Sequence, residues 1–236
     1  VDADAAWSVA HTLAALAAAA SPVRDRLSPT YSRLVLATSR RFSGQQAQRA
    51  HQGDYSNADA LADLFDRRPG EICAVSLEPR RQGAGGMRMH DPAYLRRARE
   101  LCDANGAFLI ADEIATGFGR TGTLFAHEQD DVMPDVVTLA KALGCGVPIG
   151  AMLVGEKAAE TLQFGSHGST YGGNPLMAAV AHAAVTKLKS PEILKGAISK
   201  GEWLRDQLAA MNKELDIFAD VRGRGLQARL SGQLTV

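Results

Sequence analysis

Three short apolar runs, each closed by an ionisable residue, constrain this chain more than any other feature. Ile72 to Leu77 is closed by Glu78-Pro79, Ala107 to Ala111 by Asp112-Glu113, and Val136 to Ala140 by Lys141 with a glycine-rich loop behind it. Runs of this kind are buried strands, and Ile149 to Val154 is a candidate fourth. Helical patterns lie around them. Ala58 to Phe65 predicts a short helix stopped by Pro69-Gly70. Asp91 is an N-cap with Pro92 at the first helical position. Behind it Tyr94, Leu95, Ala98, Leu101 and Cys102 make one apolar stripe, which ends at Asn105-Gly106. Asn174-Pro175 opens an alanine-rich helix running to Leu188, and Ser190-Pro191 opens another with Ile193, Leu194, Ala197, Ile198, Leu204, Leu208, Met211 and Leu215 near helical spacing. Buried strands alternating with helices predict an α/β domain, a mostly parallel sheet with flanking helices.

Three stretches divide the chain. Residues 1–53 are a poorly assigned N-terminal helical or irregular segment, residues 54–188 hold the strands, and residues 189–236 read as a linking helix and the start of a C-terminal domain. The alanine-rich residues 10–20 imitate a signal-peptide core, but Asp2 and Asp4 stand where such a signal carries positive charge. The run is also too short to span a bilayer, which needs about 20 residues, so an alanine-rich helix is the simpler reading. The chain opens on Val1 and is expected to be incomplete. Lys plus Arg and Asp plus Glu balance at 26 each, which gives no field that favours nucleic acid or an anionic membrane. Cys73, Cys102 and Cys145, odd in number and far apart, build neither a disulfide framework nor a zinc site, as expected of a cytoplasmic protein.

In open parallel sheets ligands bind beyond the carboxyl ends of the strands, which places Glu78, Asp112 and Lys141 along one rim. Burial at a strand end would desolvate the lysine amine and free it to form a Schiff base with a carbonyl. An acid on a neighbouring strand end suits a protonated pyridine nitrogen, and pyridoxal phosphate chemistry needs that pair. The residues alone leave a plainer alternative open: a lysine after a strand is commonly solvated, and an Asp-Glu pair commonly caps a turn. Gly117, Gly119 and Gly122 have dinucleotide-fingerprint spacing, but no long helix follows, because Thr123 to Asp131 is short and Pro134 intervenes. The histidines lack metal-ligand spacing. The arginines around Arg80, Arg88 and Arg96 to Arg99 read as a solvated face, with Arg80 or Arg88 as candidates to meet a substrate carboxylate.

Four ordered blocks then carry a family resemblance. Ala111-Asp112-Glu113-Ile114-Ala115-Thr116-Gly117-Phe118-Gly119-Arg120-Thr121-Gly122 is similar to the signature of class III, fold-type I, pyridoxal-phosphate aminotransferases. Thr138 to Gly144 resembles their Schiff-base lysine segment, and His167-Gly168-Ser169-Thr170-Tyr171-Gly172-Gly173-Asn174-Pro175 their phosphate-contacting loop. Glu78-Pro79 with Gln82 to Gly86 resembles a fourth block. The resemblance implies a fold-type I large domain with pyridoxal 5'-phosphate bound covalently to Lys141, which also shuttles the proton. It implies that Asp112 pairs with the ring nitrogen, that Ile114 packs on one face of the ring and that Glu78 orders the rim near the substrate. Thr170 would reach the cofactor phosphate of a neighbouring subunit, so the active site would lie across a homodimer interface. The partners implied are a small-molecule amino donor and a 2-oxo acid, exchanged by a ping-pong mechanism.

The resemblance divides between branches of the family. Residues 138–226 look most like acetylornithine or succinyldiaminopimelate aminotransferases, whereas residues 78–127, with Ala115 where a glutamine is usual, look more like diaminopelargonic acid aminotransferase. Transamination between N-acetylornithine and 2-oxoglutarate is the leading expectation, with the diaminopelargonate reaction as the alternative. Residues 1–53 lack the family's phosphate loop and ring-stacking aromatic residue, and the chain stops before the usual C-terminal domain. A non-catalytic remnant or dimerising scaffold is therefore the reading of a different class.

Overall fold

A computed structural model describes residues 35–37, 58–83, 87–159 and 170–232. The alanine-rich segment, most of the basic stretch that follows it, Ala84 to Gly86 and His167 to Ser169 lie outside the described residues. The main sheet has five strands: β1 (Val35–Ala37), β2 (Ala74–Leu77), β5 (Phe108–Asp112), β6 (Val136–Leu139) and β7 (Ala151–Val154), hydrogen-bonded in that order. The first four run parallel, and β7 returns antiparallel along β6. Strand β1 falls in the stretch that carries no strand signal in the sequence. Two small antiparallel pairs lie apart from the sheet, β3 (Arg81–Gln82) with β4 (Arg88–Met89) and β8 (Phe218–Arg224) with β9 (Gln227–Gly232).

Helix α1 (Ala58–Arg67) and helix α2 (Pro92–Ala104) cover one face of the sheet. The start of α2 follows from local chemistry: the Asp91 side chain accepts from Ala93 N–H at 2.7 Å, and Pro92 has no N–H to orphan. Its apolar stripe, Tyr94, Leu95, Ala98, Leu101 and Cys102, is buried against Val75, Leu77 and Leu109. Fully burying a large side chain of this kind stabilises the fold by about 1.5–3 kcal/mol, and this packing fixes β2 and β5 side by side. The opposite face buries Ala74, Phe108, Ile110 and Val136 with Ala158 of the one-turn helix α3 (Glu156–Ala159).

Two longer helices follow. In α4 (Pro175–Leu188) the Asn174 side chain caps the N–H groups of Leu176 and Met177, and in α5 (Pro191–Leu215) Ser190 caps Ile193. Helix α5 leads into the β8–β9 hairpin, and the two pack at glycines. A Cβ on Gly201 of α5 would lie 2.0 Å from the carbonyl oxygen of Gly225 at the hairpin turn. The turn in turn meets the loop after β5, where Leu226 N–H donates to the Arg120 carbonyl at 3.0 Å. Gly201→Ala is accordingly expected to destabilise the chain by roughly 1–3 kcal/mol through overpacking. A urea midpoint equal to that of the parent would contradict this close approach.

The dinucleotide-like glycines serve packing here. Gly122 has φ +109°, and a Cβ there would meet Ile198 Cγ1 of α5 at 2.7 Å. Turns and a 3-10 helix (Ala126–Asp130) follow the glycines. Among the described residues no helix is long and apolar enough to cross a membrane.

Candidate active site

The carboxyl ends of β2, β5 and β6 are adjacent and point the same way, so Glu78, Asp112 and Lys141 lie along one rim in that order. Register makes this concrete. Leu77 pairs with Ala111, one residue before Glu78 and Asp112, and Asp112 pairs with Thr138, three residues before Lys141. The next residue after β5 ties the strands again, with Glu113 N–H donating to the Thr138 carbonyl at 3.0 Å.

Lys141 begins a 3-10 turn (Lys141–Leu143) directly after an extended Ala140. Its φ is +46°, a left-handed backbone that L residues other than glycine, asparagine and aspartate rarely adopt. Such strain persists where surrounding structure imposes it and clusters at functional sites. The side chain opens into a cavity of about 500 Å³ lined by Ile114 and Ala115 after β5, Arg120, Lys141 and Ala142 after β6, Arg81 and Met87 around the β3–β4 pair, and Leu226, Gln227 and Ala228 of the hairpin. The sequence reading placed this amine in a buried, desolvated position, whereas it is exposed. The strand ends at Leu139, and the turn carries Lys141 beyond the packed layer.

Asp112 is half-buried at the end of β5, and its Oδ1 accepts from Ile114 N–H at 3.1 Å. Burial raises its pKa to about 6, and the nearby Glu78 charge adds to the rise. The Ile114 N–H and the Lys141 charge oppose it. Thr138, its register partner on β6, has a buried hydroxyl with no hydrogen-bond partner among the described residues. Glu78 Oε2 accepts from Gly83 N–H at 2.8 Å, tying the rim to the β3–β4 loop. Thr170 is exposed just before α4 and is not among the cavity-lining residues.

The loop that carries Ile114 and Ala115 is held from beneath by Glu113, whose side chain is fully buried. Glu113 accepts from the Thr116 hydroxyl and from His127 N–H at 2.9 Å, and lies 3.0 Å from His127 Nδ1. His127 is thus a satisfied core group.

The arginines divide in a way that corrects the solvated-face expectation. Arg88 is exposed. Arg80 is buried and faces the buried Asp130 at 3.0 Å, away from the cavity. Arg99 is largely buried between Asp103 and Asp135, each at 2.7 Å. Arg81, which the sequence reading did not single out, is 5% exposed and lines the cavity. Gln227 was also missed. Its signal was its position directly after the Val221 to Leu226 run, whose glycines allow the hairpin to fold back over the loop after β5.

Comparisons with known proteins bear on this geometry. Residues 9–230 match the family model described as aminotransferase class-III. The chain belongs to the class-III aminotransferases. It is 53% identical over 173 residues to the acetylornithine aminotransferase of Xanthomonas campestris, a match covering 73% of this chain and 42% of that protein. It is 49% identical over 176 residues to the succinylornithine transaminase of Yersinia pseudotuberculosis, covering 75% of this chain and 42% of that one. The chain therefore matches less than half the length of these class-III relatives. Among solved structures, the N-acetylornithine aminotransferase of Stenotrophomonas maltophilia superposes with a TM-score of 0.75 at 41% identity, covering 96% of this chain and 56% of that one. The ornithine aminotransferase of Toxoplasma gondii gives a TM-score of 0.80 at 30% identity, covering 98% and 58%. These class-III neighbours share the fold-type I architecture with this chain.

Proposed function

We propose that this chain carries out pyridoxal-phosphate-dependent transamination, with N-acetylornithine or a close analogue as amino donor and a 2-oxo acid such as 2-oxoglutarate as acceptor. The observation that carries the reading is the placement of Asp112 and Lys141 at neighbouring strand ends, with Lys141 opening into the cavity. The donor is drawn from the relatives, which are named as acetylornithine and succinylornithine aminotransferases.

The residues present fit the cofactor. Asp112 is a carboxylate whose ionised form is disfavoured by burial, so a protonated ring nitrogen beside it would restore its charge. Thr138, its register partner, adds a buried hydroxyl that has no hydrogen-bond partner among the described residues. When bound, pyridoxal phosphate supplies an aromatic ring that accepts the electron pair released at the substrate carbon. Lys141 would hold the cofactor covalently and, with its amine free, would move a proton as a general acid and base. The strained backbone at Lys141 holds that amine at the cavity, Ile114 would pack against the ring, and Glu78 orders the β3–β4 loop at the substrate side. Turnover is ping-pong, the donor leaving its amino group before the acceptor enters.

Residues 54–188 form the cofactor-binding portion, and residues 189–236 the linking helix with the start of a small domain. We infer a homodimer in which exposed Thr170 reaches the neighbouring subunit's cofactor phosphate. Support comes from the exposed apolar side chains of Tyr171 and Leu176 beside it, 83% and 67% accessible in the single chain.

Separate half-reactions test the donor. N-acetylornithine is expected to bleach the visible absorbance of the cofactor-loaded chain, and S-adenosylmethionine is not. Bleaching by S-adenosylmethionine alone would favour the diaminopelargonate reaction, for which Ala115 is the supporting residue. No visible band at saturating pyridoxal phosphate would favour the non-catalytic scaffold.

A further inference from the structure

Arg81 is an unusual way to line a cavity. The residue is 5% exposed, and its guanidinium is fixed by three separate segments: Nε donates to Gln227 Oε1 of β9, one terminal nitrogen to Met87 Sδ at 2.6 Å, and the other to the Ala115 carbonyl at 3.4 Å. Gln227 Nε2 donates to the same Ala115 carbonyl, so the amide bridges arginine and loop. These partners are neutral. They engage three of the five N–H donors an arginine carries, which leaves two for a ligand. The acid whose charge offsets Arg81 is Glu78, and Arg120 opposes it. Glu78 and Arg81 both converge on Gly83, where a Cβ would stand 2.6 Å from the Arg81 terminal nitrogen and 3.0 Å from Glu78 Oε2.

A strut between the β3–β4 pair and the hairpin would need no charge, and a buried guanidinium costs stability unless it is paired and hydrogen-bonded. The cavity gathers two guanidinium groups and the Lys141 amine. Lys141 enters the cavity from the turn after β6, whereas Arg81 enters it from β3 and is tied to the hairpin, so the two cations stand on different walls. A substrate whose reacting carbon sits at Lys141 presents its remote end to another wall.

We propose that Arg81, its fork held in place by Gln227, receives the remote carboxylate of a dicarboxylic substrate and sets the preference of this chain for dicarboxylic over monocarboxylic 2-oxo acids. The inference rests on the transaminase reading and adds the residue that selects its acceptor. Charge-assisted contacts to a preformed guanidinium fork are among the stronger polar interactions a site can make.

The test uses glutarate and butyrate, unreactive acids with two carboxylates and one, titrated calorimetrically into the cofactor-loaded 236-residue chain. Arg81→Met, which keeps the stem, is expected to weaken glutarate binding by about 10- to 100-fold and butyrate by less than about threefold. Arg81→Lys is expected to recover part of the glutarate affinity. Gln227→Met, which keeps the arginine but frees its Nε, is expected to weaken glutarate by about 3- to 10-fold, and it carries the test if Arg81→Met does not fold. Unchanged glutarate binding in the variant that folds, or equal loss of both acids, overturns the proposal. Failure of the parent chain to develop the visible band of bound cofactor would instead overturn the transaminase reading, and this inference with it.

Discussion

Lys141→Ala is expected to abolish the visible absorbance that develops when the chain is titrated with pyridoxal phosphate, and to lower turnover by at least about 10,000-fold. Two functions are lost with one amine, the covalent attachment and the proton transfer, and removal of a group that acts as both nucleophile and base has effects of this order. The melting temperature is expected to change little. The side chain is exposed to the cavity, and the surrounding turn is held by backbone contacts such as Leu143 N–H to the Ala140 carbonyl at 3.0 Å. A left-handed backbone costs alanine about as much as lysine. A visible band that survives in the variant would mean that another lysine carries the cofactor.

Asp112→Asn is expected to stabilise the cofactor-free chain at neutral pH while disabling the loaded one. The carboxyl titrates near 3.8 when unfolded and at about 6 in the fold, because burial disfavours its charge. Between those values the fold binds a proton that the unfolded chain has lost. Stability therefore falls as pH rises from about 4 to 6 and stays lower above. Ionisation at pH 7 costs the cofactor-free fold about 2–3 kcal/mol, and the amide avoids that cost while still accepting from Ile114 N–H. For a chain of this size the variant should melt roughly 4–10 °C higher at pH 7 and at the same temperature as the parent near pH 4. Equal melting at both pH values would show that the Asp112 charge is already compensated within the chain. With cofactor the order reverses, since a neutral amide cannot hold a ring nitrogen protonated, and turnover should drop by about 100- to 1,000-fold.

Most of the sheet was legible because its signals are local. Runs such as Phe108 to Ala111 are apolar throughout, as suits strands covered on both faces. Asp91, Asn174 and Ser190 announced their helices because the capping oxygen lies within three residues of the N–H it accepts from. The rim acids and the lysine followed from the strand ends. What stayed hidden depends on partners distant in sequence. Strand β7 carries no sign of its direction, since antiparallel pairing with β6 is decided by where the chain returns. Arg80 and Arg81 are adjacent and identical, yet one pairs with Asp130 and the other enters the cavity. A left-handed turn at Arg80, φ +65°, followed by the short β3 strand sends them apart. No spacing rule separates two consecutive arginines. Gln227 acquires meaning only when the hairpin is brought against Ala115.

The origin of the cavity walls has a consequence for how the molecule is made. Ile114, Ala115 and Lys141 follow strands of the sheet, whereas Leu226, Gln227 and Ala228 belong to a hairpin synthesised after the long helix α5. A polypeptide leaving the ribosome amino end first can therefore set its reactive amine and acid in place while that side of the pocket is still open to water. The enclosure, and the anchoring of Arg81 with it, follows the placing of the amine and the acid.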